Sequence, residues 1–472
     1  MIKNNKSKNL RYFDILLAKK AYIKGENIME LLRNQKKMSY SKTNIFFLNH
    51  ASFIIEHNKI KILNDPYLFA SAFNDGWNLL KEFNHSELLK DLTHIYFSHE
   101  HPDHFSIPFL KSISLEERKR ITIIYQETYD KRVKNFCEKL GFIFLEVRNQ
   151  KENKISENFY ITIGKVPFYD SWINYRINDN NILNVNDSVL DNPNVLYLIK
   201  KKIRDINVLF TQYSYANFIP ENQQISVAID CLKKIKEQDN ILKPSFIVPF
   251  ASLIYFSHKE NYFMNKNINT IQIAHDYIKK NCKAYPIILK PNENWIINKK
   301  DNYNSLDFWN KIYANIPNLK LNQSHLNTDS KTLIEKSKNY LERIKKNNNN
   351  LLIYFLYKLK FFNDISIFLT DLKKSFNFNV IDGLKENLIH NDKFTIEMSS
   401  DSLQFIFDYD YGFDTLLVNA RFRASNNNIN KITRNFIIGS LNNSGRYIKF
   451  NNIHKFFNKL LLERAIKLFN KY

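Results

Sequence analysis

The chain has 472 residues, more than the roughly 250–300 at which single cores stop growing, so more than one domain is expected. Its composition, 44% hydrophobic and 25% charged, is that of an ordinary globular protein, and eight glycines with no GxGxxG or P-loop exclude a glycine-cradled phosphate site. The net charge of +22 comes from lysines spread along the whole chain with no recognition helix or zinc finger beside them, which reads as a solvated basic surface that favours anionic small molecules, without specific nucleic-acid binding.

In chain order, residues 1–43 show helical spacing broken at Gly25 and predict an N-terminal helical arm. Residues 44–47, 51–56 and 59–64 are short β-rich runs, and helical spacing returns only near 86–91. Residues 94–98 are a buried-strand signature leading into a histidine-rich loop. Helix, strand, helix and strand follow at 114–119, 121–125, 129–140 and 142–146, then strands at 159–163, 172–177 and 181–186. Residues 208–211 and 246–248 read as buried strands separated by a helix at 226–238. After about residue 300 the character changes: 330–346 is a charged helix, 351–376 an aromatic and largely helical stretch, and 394–398, 402–408 and 415–421 alternate as strands. The expected organisation is an arm at 1–43, a catalytic domain at 44–300 and a smaller α+β unit of unknown role at 301–472. Cys137, Cys231 and Cys282 form no CxxC pair, so neither a disulfide framework nor a thiolate zinc site is indicated. Without a signal-like segment or ~18 continuous apolar residues, a cytoplasmic protein with no membrane span is expected.

The chemistry concentrates in Ser98-His99-Glu100-His101-Pro102-Asp103-His104. Four potential ligands, His99, His101, Asp103 and His104, follow a strand directly. Two side chains two residues apart in extended chain share a side, so His99 and His101 can take one ion, while Asp103 and His104 turn toward a second. Imidazole and carboxylate donors without thiolate suit zinc, iron or manganese.

This HxHxDH run resembles the signature of the metallo-β-lactamase superfamily, and Asn49-His50-Ala51-Ser52 with Asn64-Asp65-Pro66 resembles the opening of that fold. The resemblance implies an αββα sandwich with two divalent metal ions. It makes Asp65 a hydrogen-bond acceptor for a ligand histidine, and His50 either lines the site or packs at a strand end. It makes Asp187 a metal-bridging carboxylate and His258, or less favourably His275, the last ligand. The superfamily pattern has a further histidine between His104 and Asp187, where this chain has none; Asp170 precedes a strand at about the right distance and can substitute. A carboxylate there makes the site harder and moves the preference from zinc toward iron or manganese.

Residues 65–80, 210–217 and 249–265 resemble the metallo-β-lactamase-like portion of CMP-N-acetylneuraminate hydroxylases. That implies an iron-dependent monooxygenase of an N-acyl amino-sugar nucleotide or similar polar metabolite. Those hydroxylases also carry a Rieske module with Cys-x-His pairs, absent from this sequence, so a separate Rieske or ferredoxin-type electron donor is expected. The alternative is a zinc- or manganese-dependent hydrolase of a phosphodiester, lactone or amide, in which Asp103 orients the attacking hydroxide.

Overall fold

The computed structural model describes residues 42–452, apart from 168, 189, 191, 301–302, 325–326, 359 and 388–393. The expected N-terminal arm lies outside them but for its last two residues. Two seven-stranded sheets dominate. The first runs in the order Asn294–Trp295, Thr43–Asn49, Ser52–His57, Ile60–Asn64, His94–Tyr96, Thr122–Gln126 and Ile143–Val147. The second runs Tyr285–Pro286, Phe246–Phe250, Val208–Gln212, Asn180–Asn184, Asp170–Ile177, Phe159–Val166 and Glu152–Ser156. Each sheet combines antiparallel hairpins with a parallel half, the mixture expected where short turns join some strands and helical crossovers join others.

The sheets bury their inner faces against each other. Phe53 of the first stacks on Phe210 of the second at 4.2 Å between ring centroids, with Phe250 edge-on to both. Helices Ile107–Ser112 and Arg132–Lys139 cover the outside of the first sheet, setting Phe109, Leu110, Val133 and Cys137 over Ile95 and Ile123. Helices Pro193–Lys202, Gln224–Leu242 and Ile271–Asn281 contribute Leu196, Ile235 and Ile278 to the core on the second sheet. The result is the αββα sandwich. One glycine is required by close approach: Gly164 pairs with Trp172 on the neighbouring strand, and a Cβ there would fall 2.0 Å from the indole ring.

Beyond residue 300, helix Tyr303–Ala314 still packs on the sandwich through Trp309 and Tyr313. A second core then forms around a five-stranded sheet ordered Gly383–Asn387, Lys374–Asn379, Ile365–Leu369, Ile396–Met398 and Phe422–Arg423. The expected helical stretch 351–376 is helical only at Asn350–Lys358, because Ile365, Ile367 and Leu369 are buried at every second position and form a strand. The strands expected at 402–408 and 415–421 are instead helices Ser400–Asp408 and Gly412–Asn419. The first is started by Ser399, whose side chain accepts from the Ser402 amide, and it buries Leu403, Ile406 and Phe407 at helical spacing. Gly412 lets the second helix cross it, since a Cβ would meet the Phe405 carbonyl at 2.4 Å.

The two cores meet around the strand pair Trp77–Leu79 and Ile254–Phe256, whose side chains Trp77 and Phe256 join the second core. Arg421 is the polar bolt of this junction. Its side chain is 1% exposed and pairs with Glu260 at 2.8 Å and Asp401 at 2.7 Å, and it donates to the Asn74 carbonyl at 2.8 Å. Among the described residues no helix is long and apolar enough to cross a membrane. Replacing Arg421 by Met removes the cation and leaves two carboxylates at a largely dry junction; the expected loss is about 3 kcal/mol of folding stability, read as a lower denaturant midpoint. An unchanged midpoint would show that the junction does not depend on the pair.

Candidate metal centre

The loops at one edge of the sandwich carry the polar cluster. His50 follows strand Thr43–Asn49, Asp65 follows Ile60–Asn64, the histidine-rich loop follows His94–Tyr96, and Asp187 follows Asn180–Asn184. Asp170 opens strand Asp170–Ile177. His50, Asp65 and Asn186 hold φ of +42°, +35° and +42°, left-handed turns that let each chain leave its strand sharply. Hydrogen bonds across the sheets fix the edge. The Ser171 hydroxyl donates to the Ser98 carbonyl at 2.7 Å and is bonded to the Tyr96 hydroxyl at 3.0 Å, while Asn186 donates to the Ser171 carbonyl at 2.7 Å.

Eight of the nine candidate residues converge. His99 Nε2 and His101 Nδ1 are 2.9 Å apart, and these two side chains with Asp187 form one group whose ligand atoms all lie within 4.8 Å of one another. His50, Asp103 and His104 form a second such group. Asp187 Oδ1 stands between the two, 3.9 Å from His99 Nδ1 and 3.4 Å from His104 Nε2. Asp170 Oδ1 lies 3.5 Å from His99 Nδ1. Behind the ligands, Asp65 accepts from the Ser98 amide through Oδ1 at 2.7 Å and faces His104 Nδ1 through Oδ2 at 3.1 Å, leaving His104 Nε2 pointed at the cluster.

His258 is the exception. Its Nδ1 faces Glu260 at 3.3 Å and its Nε2 faces the Ser324 hydroxyl at 3.4 Å, so both ring nitrogens serve the junction with the second core. Burial and the nearby Arg421 and Lys259 charges push it down to about 3, a neutral imidazole. His275, the lesser candidate, sits on helix Ile271–Asn281 beside Asp276. A lone histidine carries no sequence signal for which of its neighbours will engage it, and the hydrogen-bonding partners of His258 come from residues 324 and 260.

The donor set fits cations. Asp103 Oδ1, His104 Nε2 and Asp187 Oδ1 are buried side-chain atoms with no hydrogen-bond partner, a costly condition unless something else satisfies them. Burial alone lowers His104, yet the carboxylates of Asp187, Asp103 and Asp65 together hold it well above the usual imidazole range. Burial and the Asp187 charge hold Asp170 well above the usual carboxylate range. Such mutual distortion is what packed carboxylates show in one another's company, and cations between them relieve it. His101 reaches the surface at the rim of the cluster, yet desolvation by its packed neighbours, followed by the adjacent His99, takes it down to about 4, and burial lowers His99 as well, so both favour the neutral form that ligates.

Two supports were not legible as site residues. Glu100, between the first two histidines, is held by Arg132 at 2.8 Å, and Arg132 also donates to Asn443 of the second core at 3.1 Å. On the other side Phe73 packs edge-on to His101 at 5.7 Å, on a loop whose Phe73 and Asn74 carbonyls accept from Asn419 and Arg421.

Residues 44–211 match the family described as Beta-lactamase superfamily domain. Over 268 residues, 53% of this chain, the sequence is 25% identical to cytidine monophosphate-N-acetylneuraminic acid hydroxylase of Cricetulus griseus; the match spans 47% of that protein's length. Among solved structures, CmlA, a diiron beta-hydroxylase from Streptomyces venezuelae, is 13% identical with a TM-score of 0.41 over 55% of each chain. Igni18, a metallo hydrolase from Ignicoccus hospitalis, is 12% identical with a TM-score of 0.39, covering 55% of this chain and 100% of its own.

Asp65→Asn tests the support behind His104. The amide cannot accept from both the Ser98 amide and the imidazole as a carboxylate does, and metal affinity is expected to fall about 10–100-fold in a chelator competition titration. Unchanged affinity would show that Asp65 is only a turn residue.

Proposed function

Because residues 44–211 belong to the Beta-lactamase superfamily, we propose that this chain is a metal-dependent hydroxylase of an N-acyl amino-sugar nucleotide or a similar polar metabolite. The observation that carries this reading is the carboxylate at position 170. Asp170 stands 3.5 Å from His99, where the superfamily resemblance implies an imidazole, and it adds a further hard oxygen donor beside the carboxylates of Asp187 and Asp103. Oxygen donors beside imidazoles favour iron over zinc. The hydroxylase likeness points the same way.

Two iron ions bound here would supply the redox chemistry that activates dioxygen. The protein's own residues do the rest. His99, His101 and Asp187 would hold one ion, with Asp170 beside them, and Asp187 faces both groups of ligand atoms. Asp65 keeps the His104 proton on Nδ1 so that Nε2 is free to ligate. Dioxygen, two electrons and two protons convert a C–H bond to C–OH with release of water, and the electrons come from a ferredoxin- or Rieske-type partner. The basic surface suits an anionic, nucleotide-linked substrate. In this reading residues 44–300 carry the chemistry, and Asn419, Arg421 and Asn443 of the second core buttress the metal loop.

The second reading, a zinc or manganese hydrolase of a phosphodiester, lactone or amide, rests on the neutral pair His99 and His101, donors that suit zinc equally. Metal analysis of protein purified without oxygen separates the two. Iron as the bound metal, with product heavier by one oxygen atom when reductant, dioxygen and a CMP-linked N-acyl sugar are supplied, supports the hydroxylase. Zinc, with cleavage in place of oxygen insertion, overturns it. Asp170→His adds an imidazole, so its zinc-to-iron preference is expected to rise by about tenfold or more in competition; an unaltered preference would separate Asp170 from the metal.

A further inference from the structure

We propose that His50 is a direct metal ligand, the fourth protein donor of the position that Asp103 and His104 begin and Asp187 shares. The inference rests on the metal-holding reading above and deepens it.

The second ion needs a donor that His258 does not supply. Asp103 and His104 provide two, and Asp187, 3.4 Å from His104 Nε2, is shared with the first position. A tetrahedral site wants one more. His50 is 1% exposed, and its Nε2 lies 3.2 Å from Asp103 Oδ2. The ligand atoms of His50, Asp103 and His104 fall within 4.8 Å of one another, a span one ion closes with a small contraction, since bonds of about 2.0–2.2 Å set donors up to about 4.4 Å apart.

The ring is held for this task. The His50 amide donates to its neighbour's side chain, Asn49 Oδ1, at 3.1 Å, and the His50 carbonyl accepts from the Ala251 amide at 3.0 Å, tying the first sheet to the second. The backbone keeps φ at +42°, uncommon for a residue with a Cβ. Tyr67 stands edge-on at 5.9 Å between centroids and His104 at 5.8 Å, so aromatic walls on two sides fix the plane of the imidazole. Of the atoms facing the proposed ion, Asp103 Oδ1 and His104 Nε2 have no hydrogen-bond partner.

The competing role is a hydrogen bond from His50 Nε2–H to Asp103, with no contact to metal. His50→Gln distinguishes them, because the amide can still donate to Asp103 but ligates transition metals poorly, whereas His50→Ala removes both functions. Metal per chain is measured after iron or zinc loading and desalting. The wild type is expected to hold about two ions per chain and both variants about one. A Gln variant that keeps the wild-type content overturns the ligand role and leaves the hydrogen bond. A wild type that holds no metal overturns the metal-holding reading itself, a different failure. Should the variants not fold, cobalt-loaded wild type decides by paramagnetic proton NMR: four shifted imidazole N–H resonances, from His50, His99, His101 and His104, support the assignment, and three overturn it.

Discussion

One buried carboxylate organises the edge of this sandwich. Asp65 is fully buried, leaves its strand in a left-handed turn, and spends one oxygen on the Ser98 amide and the other on His104 Nδ1. The first contact sets where the histidine-rich loop departs from its strand. The second orients the ring that closes the loop. Because Ser98 is also gripped from the other sheet, through Ser171 and in turn Asn186, the separation of the two sheets at this edge is fixed by the same network that aims the ligands. Fold and site are therefore one construction here, and a loss at Asp65 reaches both.

Electrostatics explains why such a cluster tolerates burial. His50, Asp65, His99, Asp103 and His104 are buried, Asp170 and Asp187 are half-buried beside them, and His101 sits at the exposed rim, so most of the cluster lies where isolated charges are costly. Without cations the groups distort one another, His104 drawn toward protonation and Asp170 toward neutrality. Divalent ions between them would replace those compromises with direct bonds. The second core adds mechanical support. Its Asn443 braces Arg132 and hence Glu100, and its Asn419 and Arg421 hold the loop that lays Phe73 on His101, so the metal loop is buttressed from two sides by residues more than three hundred positions away in sequence.

Much of this was legible in the sequence, for physical reasons. His99, His101, Asp103 and His104 lie within six residues, so local geometry alone brings them together; Asp65 and Asp187 each end a strand, and the sandwich places its strand ends at one edge. His258 was misplaced because nothing local shows that Glu260 and Ser324 engage its ring. The second core was read less well. Residues 400–419 are rich in residues that suit either element, and the choice of helix is made by the Ser399 cap and by the close crossing at Gly412, a tertiary fact. Arg421 carried no pattern at all, since its importance comes from partners at 74, 260 and 401.

The central claim is that this cluster holds two metal ions, and anomalous X-ray diffraction at the metal absorption edge tests it most directly. Two peaks are expected on either side of Asp187, one among His99, His101 and Asp170 and the other among His50, Asp103 and His104. Crystals of metal-loaded protein with no anomalous peak in this cluster, or with a peak at His258, would contradict it.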